Sequence, residues 1–171
     1  TTRVSRCATV LFVIYIYTTY KMTPMYRFPA LWRAVDDGNL EDAKALILDG
    51  ADVEERAGIQ GFTPLMLASR KRQVPLVKLL LEHKANPNAT YNKLNPHATY
   101  FARSPLHWNS AYGIPSVAEL LIEHKANMEA KDDTDRSALL VASELANPSV
   151  VEVLVEHKAN IEVKSRFDWS A

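Results

Sequence analysis

Apolar residues recur along this chain in short runs at helical spacing, and three of the runs are closed by the same pentapeptide. Leu79-Leu80-Leu81, Leu120-Leu121-Ile122 and Val153-Leu154-Val155 are each followed directly by Glu-His-Lys-Ala-Asn, at 82–86, 123–127 and 156–160. The last two copies lie 33 residues apart and the first two 41. Recurrence at that period means that one supersecondary unit is stacked on copies of itself, each covering an apolar face its neighbour cannot bury alone. Thr63-Pro64-Leu65-Met66, Ser104-Pro105-Leu106-His107 and Ser137-Ala138-Leu139-Leu140 each begin twenty residues before the histidine of a pentapeptide. A Thr or Ser side chain there accepts a hydrogen bond from an orphan helical N–H, and Pro suits the first helical position. This predicts a helix of about two turns, ending near Arg72, Gly113 and Ala146. Pro75, Pro115 and Pro148 then open a second, longer helix that carries the apolar stripe and stops at the pentapeptide. An extended segment such as Asn127-Met128-Glu129-Ala130-Lys131-Asp132 leads to the next cap.

An earlier unit is visible in Ala30 to Gly38 followed by Ala43 to Asp52, without the Thr-Pro cap. At the other end, Trp169-Ser170-Ala171 matches Arg136-Ser137-Ala138 at a distance of 33 residues, as if a fifth unit begins and is cut off. The Thr-Pro-Leu caps, the paired helices, the period and the Ala-Asn/Asp-x-(Asn/Glu)-Ala turns together resemble the ankyrin-repeat family, over about residues 28–171. The resemblance implies an all-α fold, an α-solenoid of stacked helix-turn-helix units joined by β-hairpin fingers. The units fall at about 28–60, 61–102 with an insertion, 103–135 and 136–168, with the start of another at 169–171. The family usually has Gly after each helix, where φ is positive. Gly38, Gly50 and Gly113 keep it, whereas Arg72, Lys84, Lys125, Ala146 and Lys158 stand in its place. A non-Gly residue forced left-handed costs on the order of 1 kcal/mol. Asn109 stands where the family buries a small Ala. It either finds a backbone partner or weakens that interface by roughly 1–3 kcal/mol.

Composition narrows the function more than the fold. Twenty basic and twenty acidic side chains cancel, so no bulk field draws the chain to nucleic acid or anionic lipid. Cys7 is the only cysteine, which excludes disulfide frameworks and cysteine zinc sites and fits a reducing compartment. Residues 1–27 form a separate apolar and aromatic segment. Arg3 and Arg6 precede the run from Ala8 to Tyr17, as in the basic region of a signal peptide, but that run is short of the ~20 residues a membrane helix needs. Either Met22 or Met25 is the true start and residues 1–21 are extraneous or the tail of a longer chain, or residues 8–20 act as a signal or anchor, or the segment adds a structured element to the stack.

No catalytic constellation is present: no Gly-rich phosphate loop, no paired-His zinc motif and no nucleophile elbow. His83, His124 and His157 occupy one position in successive units. Helices pack about 8–10 Å apart, while a metal ion needs ligands within about 2.1 Å, so these histidines share no ion. The expectation is a non-catalytic module with no metal and no cofactor, cytoplasmic or nuclear, that binds a protein rather than nucleic acid. Its alternatives are a regulatory segment of a larger enzyme, such as a kinase or ubiquitin-ligase component, or a membrane-tethered form. Asn86 to Ser104 spans 18 residues where Asn127 to Ser137 spans 10, so one finger is lengthened by eight. It carries Tyr91, Tyr100 and Phe101, residue types that anchor interfaces or fold back onto the neighbouring unit. The resemblance implies a contact surface of Ile59, Gln60, Phe62, Arg70 and Lys71, then Tyr100, Phe101, Arg103 and Tyr112, then Asp133, Thr134, Arg136 and Glu144. It also implies that His107 ties neighbouring fingers together. Asn88, alone among the equivalent positions Glu54, Glu129 and Glu162, is the Asn that an asparaginyl hydroxylase would modify.

Overall fold

A computed structural model describes residues 28–58, 61–90 and 103–162. The N-terminal segment, Ile59 and Gln60, most of the long finger with Tyr91, Tyr100 and Phe101, and the start of a fifth unit lie outside the described residues. Among those described are eight helices: α1 (Ala30–Asp37), α2 (Leu40–Leu48), α3 (Pro64–Arg70), α4 (Val74–Glu82), α5 (Pro105–Tyr112), α6 (Pro115–Glu123), α7 (Ala138–Glu144) and α8 (Pro148–Glu156). Each consecutive pair is one antiparallel unit, α1 with α2 through α7 with α8. The first helices stack as α1, α3, α5, α7 and the second helices as α2, α4, α6, α8. The fold is the expected all-α solenoid. The fingers are slighter than β-hairpins: among the described residues there is no strand, only one antiparallel bridge, Ala57 to Phe62.

The caps form as the sequence predicts. Thr63 Oγ1 accepts from the Met66 N–H, and Ser137 Oγ from that of Leu140, both at 3.3 Å. Two residues after each cap, Leu65, Leu106 and Leu139 are buried, as is Leu31 in the first unit. Three residues further on, Ala34, Ala68 and Ala142 let the first helices approach, and Asn109 breaks that series. Its Nδ2 donates to the Ile114 carbonyl at 3.0 Å, so it does find a backbone partner. Its Oδ1 is buried with no hydrogen bond, which leaves a destabilising acceptor in the core.

Each pentapeptide is a helix stop whose five residues do five jobs. Glu82, Glu123 and Glu156 are the last helical residues, and the histidines are C-caps. Lys84, Lys125 and Lys158 are left-handed, with φ of 63°, 68° and 64°. The Lys N–H then donates three residues back, as in Lys125 to Ile122, and the Ala N–H five residues back, as in Ala126 to Leu121, both at 2.9 Å. The alanines, Ala85, Ala126 and Ala159, are buried. The asparagines make Asx turns, Asn127 Oδ1 accepting from the Glu129 N–H at 3.0 Å. Their own N–H groups reach the preceding turn: Asn86 donates to Glu54, Asn127 to Asn88 and Asn160 to Glu129, at 2.7, 2.7 and 2.9 Å.

Arg72 and Ala146 are also left-handed, at 62° and 54°, so all five positions where Gly was missed carry positive φ. Gly113 (φ 68°) is required twice over, because a Cβ there would stand 2.7 Å from Asn147 Oδ1. Replacing Lys125 or Lys158 by Gly is expected to stabilise the stack by about 0.5–1 kcal/mol, the relief of strain less the added backbone entropy. Gly113→Ala is expected to destabilise it by at least as much. Thermal unfolding of the three variants followed by circular dichroism checks both signs.

Candidate functional site

Three clusters of side chains surround the expected contact residues on the fingers and the first helices. The first is a small second core: Phe62, Met66, Ala89 and Trp108 are buried together, separate from the main core. Trp108 follows His107 on α5, and one turn later Tyr112 lies parallel to it, with centroids 6.4 Å apart and planes 12° off. Phe62 meets Trp108 at 5.1 Å. Two guanidiniums cover these rings. Arg70 Cζ is 4.8 Å from the Phe62 centroid and 5.9 Å from that of Trp108, and Arg103 Cζ is 5.4 Å from Trp108. Cations over aromatic faces at these distances are attracted by about 0.5–2 kcal/mol each.

The second group is centred on Asp132, whose side chain is fully buried. Its Oδ1 accepts from the Thr134 N–H, the Thr134 hydroxyl and the Arg136 N–H, at 2.9, 2.7 and 3.1 Å. Its Oδ2 accepts from Arg136 Nε and Nη2 at 3.1 and 2.9 Å, with Arg103 Nε 3.6 Å away. Arg136 also donates to Glu144 at 3.0 Å. Burial alone would raise the Asp132 carboxyl, but the hydrogen bonds from Arg136 and Thr134 outweigh it and hold the carboxyl below its usual range. The closed loop of bonds also sets Asp135 left-handed at 63°.

The third element is His107, fully buried. Its Nδ1 accepts from the Ser104 N–H at 3.3 Å and lies 2.8 Å from the Ser104 hydroxyl. Because a backbone N–H can only donate, the ring proton sits on Nε2 and is given to the Arg136 carbonyl at 3.0 Å. The imidazole therefore ties the third unit to the finger of the fourth. Burial pushes its pKa down, against the Arg136 carbonyl and the Asp132 charge.

Of the expected contact residues, Phe62 and Arg103 are not at the surface. Both are buried, Arg103 at 6% exposure, because Trp108 fills the space beneath them. Thr134, Arg136 and Glu144 are partly exposed but engaged with Asp132 and one another. Lys71 lies 2.6 Å from Asp36 in the first unit. Arg70, Tyr112 and Asp133 present surface to solvent. Asn88 is exposed and used at both ends of its amide: Oδ1 accepts from Asn127 and Nδ2 donates to the Lys125 carbonyl at 3.0 Å. Trp108 and Asp132 were not among the expected site residues. The signals for them were a Trp one helical turn before Tyr112, and an Asp two residues before Thr134 in an Asx-turn pattern. Among the described residues, no group of three or more His, Cys, Asp or Glu is placed to hold a metal ion, and no helix is long and apolar enough to cross a membrane.

Comparison with known proteins agrees with this architecture. The family model for ankyrin repeats (3 copies) matches residues 13–91, 31–108 and 90–165. XBAT34 of Arabidopsis thaliana, named as a candidate E3 ubiquitin-protein ligase, is 33% identical over 117 residues, which is 67% of this chain and 29% of that protein. Mouse inversin is 30% identical over 106 residues, 62% of this chain and 9% of inversin. The BTB/POZ domain and ankyrin repeat-containing protein BOP of Lupinus luteus is 45% identical over 60 residues, 34% of this chain and 12% of that protein. The chain thus spans less than a third of the length of each of these relatives.

His107 gives the stack a defined response to acid. A histidine whose folded pKa is depressed below the ordinary 6.5 binds a proton more readily when unfolded. Stability is therefore full above pH 6.5 and falls as pH drops below it. Asp132 adds nothing in that window, because a depressed carboxyl loses its contribution only below its ordinary 3.8. Urea unfolding at pH 7.5 and 5.5 is expected to show a loss for the native chain that His107→Asn largely removes.

Proposed function

This chain belongs to the ankyrin-repeat family, and from that premise we propose that it is a non-catalytic module that binds a protein partner. The contact face is the one built by the fingers and the first helices. The observation that carries the reading is the stacked platform of Arg70, Phe62, Trp108 and Tyr112. Its members that reach solvent, the partly exposed Arg70 and the exposed Tyr112, are residue types that dominate binding energy at interfaces. Each is held in place by an aromatic ring beneath it, so little side-chain entropy is lost on binding. The buried members, Phe62 and Arg103, and the network of Thr134, Arg136 and Glu144 support that platform. Asp133, Lys71, Ile59, Gln60 and the long finger with Tyr91, Tyr100 and Phe101 extend the contact on either side. The module works in the cytoplasm or nucleus, without a cofactor and without nucleic acid.

A second reading is supported by the names of two relatives, XBAT34 and XBAT35, each described as a candidate E3 ubiquitin-protein ligase. In that reading this segment selects the protein that a larger enzyme modifies. Hydroxylation of Asn88 stays compatible with either reading, and the mass of the chain after enzyme treatment tests it.

Affinity capture from cell extract with the native chain, an Arg70→Glu/Tyr112→Ala variant and a chain lacking residues 91–101 tests the surface. Proteins held by the native chain are expected to drop at least tenfold on the double variant while far-ultraviolet circular dichroism is unchanged. Proteins held equally by both would place the contact elsewhere. Loss on deletion alone would place it on the finger.

A further inference from the structure

Resting on the reading above, we infer that the row of positions at the C-terminal ends of the first helices binds a segment of the partner in polyproline II conformation. That segment carries a carboxylate at one position and apolar side chains three and six residues away.

Seven and eight residues beyond the N-cap of each first helix (Pro29, Thr63, Ser104 and Ser137), the stack places Asp36 and Asp37, Arg70 and Lys71, Ala111 and Tyr112, and Glu144 and Leu145 on successive neighbouring helices. Two of the charges cancel internally, Lys71 with Asp36 at 2.6 Å and Glu144 with Arg136 at 3.0 Å. What remains along the second, third and fourth units is one cation and two apolar groups. Arg70 makes no ion pair or hydrogen bond among the described residues, and its guanidinium is laid over Phe62. Tyr112 is 39% exposed and Leu145 52%.

A guanidinium fixed over a ring keeps its N–H edges in one plane, which suits bidentate pairing with a carboxylate. The complementary ligand therefore has an acid opposite Arg70 and apolar side chains opposite Tyr112 and Leu145. The spacing selects its conformation. Packed helices lie about 8–10 Å apart. A β-strand rising about 3.3 Å per residue covers that distance in about three residues, but its side chains alternate, so positions three apart face opposite ways. Polyproline II also takes three residues, at about 3.1 Å each, and returns to the same face every third residue. Only the second geometry sets three side chains on three successive helices. Such a segment has no internal hydrogen bonds and is already extended before binding, so little order is lost.

Fluorescence anisotropy with labelled synthetic peptides tests this. The probe is Pro-Glu-Pro-Pro-Leu-Pro-Pro-Leu-Pro. Its controls replace Glu by Gln, move one Leu by a single position, or replace Glu by Lys. The native chain is expected to bind the probe at least tenfold more tightly than the Gln and shifted-Leu controls. Arg70→Glu is expected to lose the probe and take up the Lys peptide, and Tyr112→Ala to weaken the probe with its Glu preference intact. Equal binding of Glu and Gln peptides, equal binding of the shifted peptide, or no binding of the probe overturns the inference. The capture experiment above is separate: proteins lost on its double variant while the peptides fail would keep the face and discard this ligand.

Discussion

Every helix described here is seven to nine residues long, and helices of that length do not persist alone in water. That shortness governs the rest. A unit cannot hold its helices by backbone bonds, so it holds them by laying one apolar face on its partner helix and another on the next unit. Leu65, Leu106 and Leu139 on the first helices, and Leu80, Leu121 and Leu154 on the second, are buried for this reason. It also explains the weight placed on helix ends. In a nine-residue helix the four orphan groups at each terminus concern most of the peptide bonds, and the pentapeptide satisfies carbonyls at the C-terminal end in a fixed order.

Polar contacts between units then set the register. The turn residues Glu54, Asn88 and Glu129 each accept an N–H from the following turn, and His107 reaches from one cap to the next finger. Asp132 is an expensive group to bury, but with donors from Thr134 and Arg136 on both oxygens its solvation is replaced bond for bond. The result is a finger held by one carboxylate rather than by strand pairing. Over the second and third units the aromatic cluster does similar work with dispersion and cation–π attraction, and leaves its cationic edge in solvent.

Much of this was legible in the sequence because it is local. Caps, prolines and helix ends follow from spacing, and the five non-Gly left-handed positions from the family resemblance, since a turn between two helices imposes its φ whatever residue stands there. Asp135 was not legible, because its left-handed state depends on the bonds that Asp132 collects around it. Arg103 and Phe62 were expected at the surface by position. Trp108 changed that, as a large ring at one site decides what its neighbours from two other segments can cover. The charge balance of the contact row was hidden for the same reason. Lys71 and Glu144 look like surface charges until Asp36 and Arg136, one unit back and eight residues back, are seen beside them.

The residues on either side of the stretch between Thr90 and Arg103 carry bonds of their own. Arg56 donates to the Thr90 carbonyl at 2.7 Å on one side, and Arg103 lies over Trp108 on the other. Asn88, upstream of the segment, bonds directly to Asn127 and to the Lys125 carbonyl in the next unit. The third unit is thus tied to the second by bonds between residues outside that stretch. Doubling a loop costs only about 0.6 kcal/mol in closure entropy. A lineage could therefore lengthen this stretch at small cost and keep the bonds on either side of it. A loop whose flanks carry their own bonds is a place where added length can become new specificity.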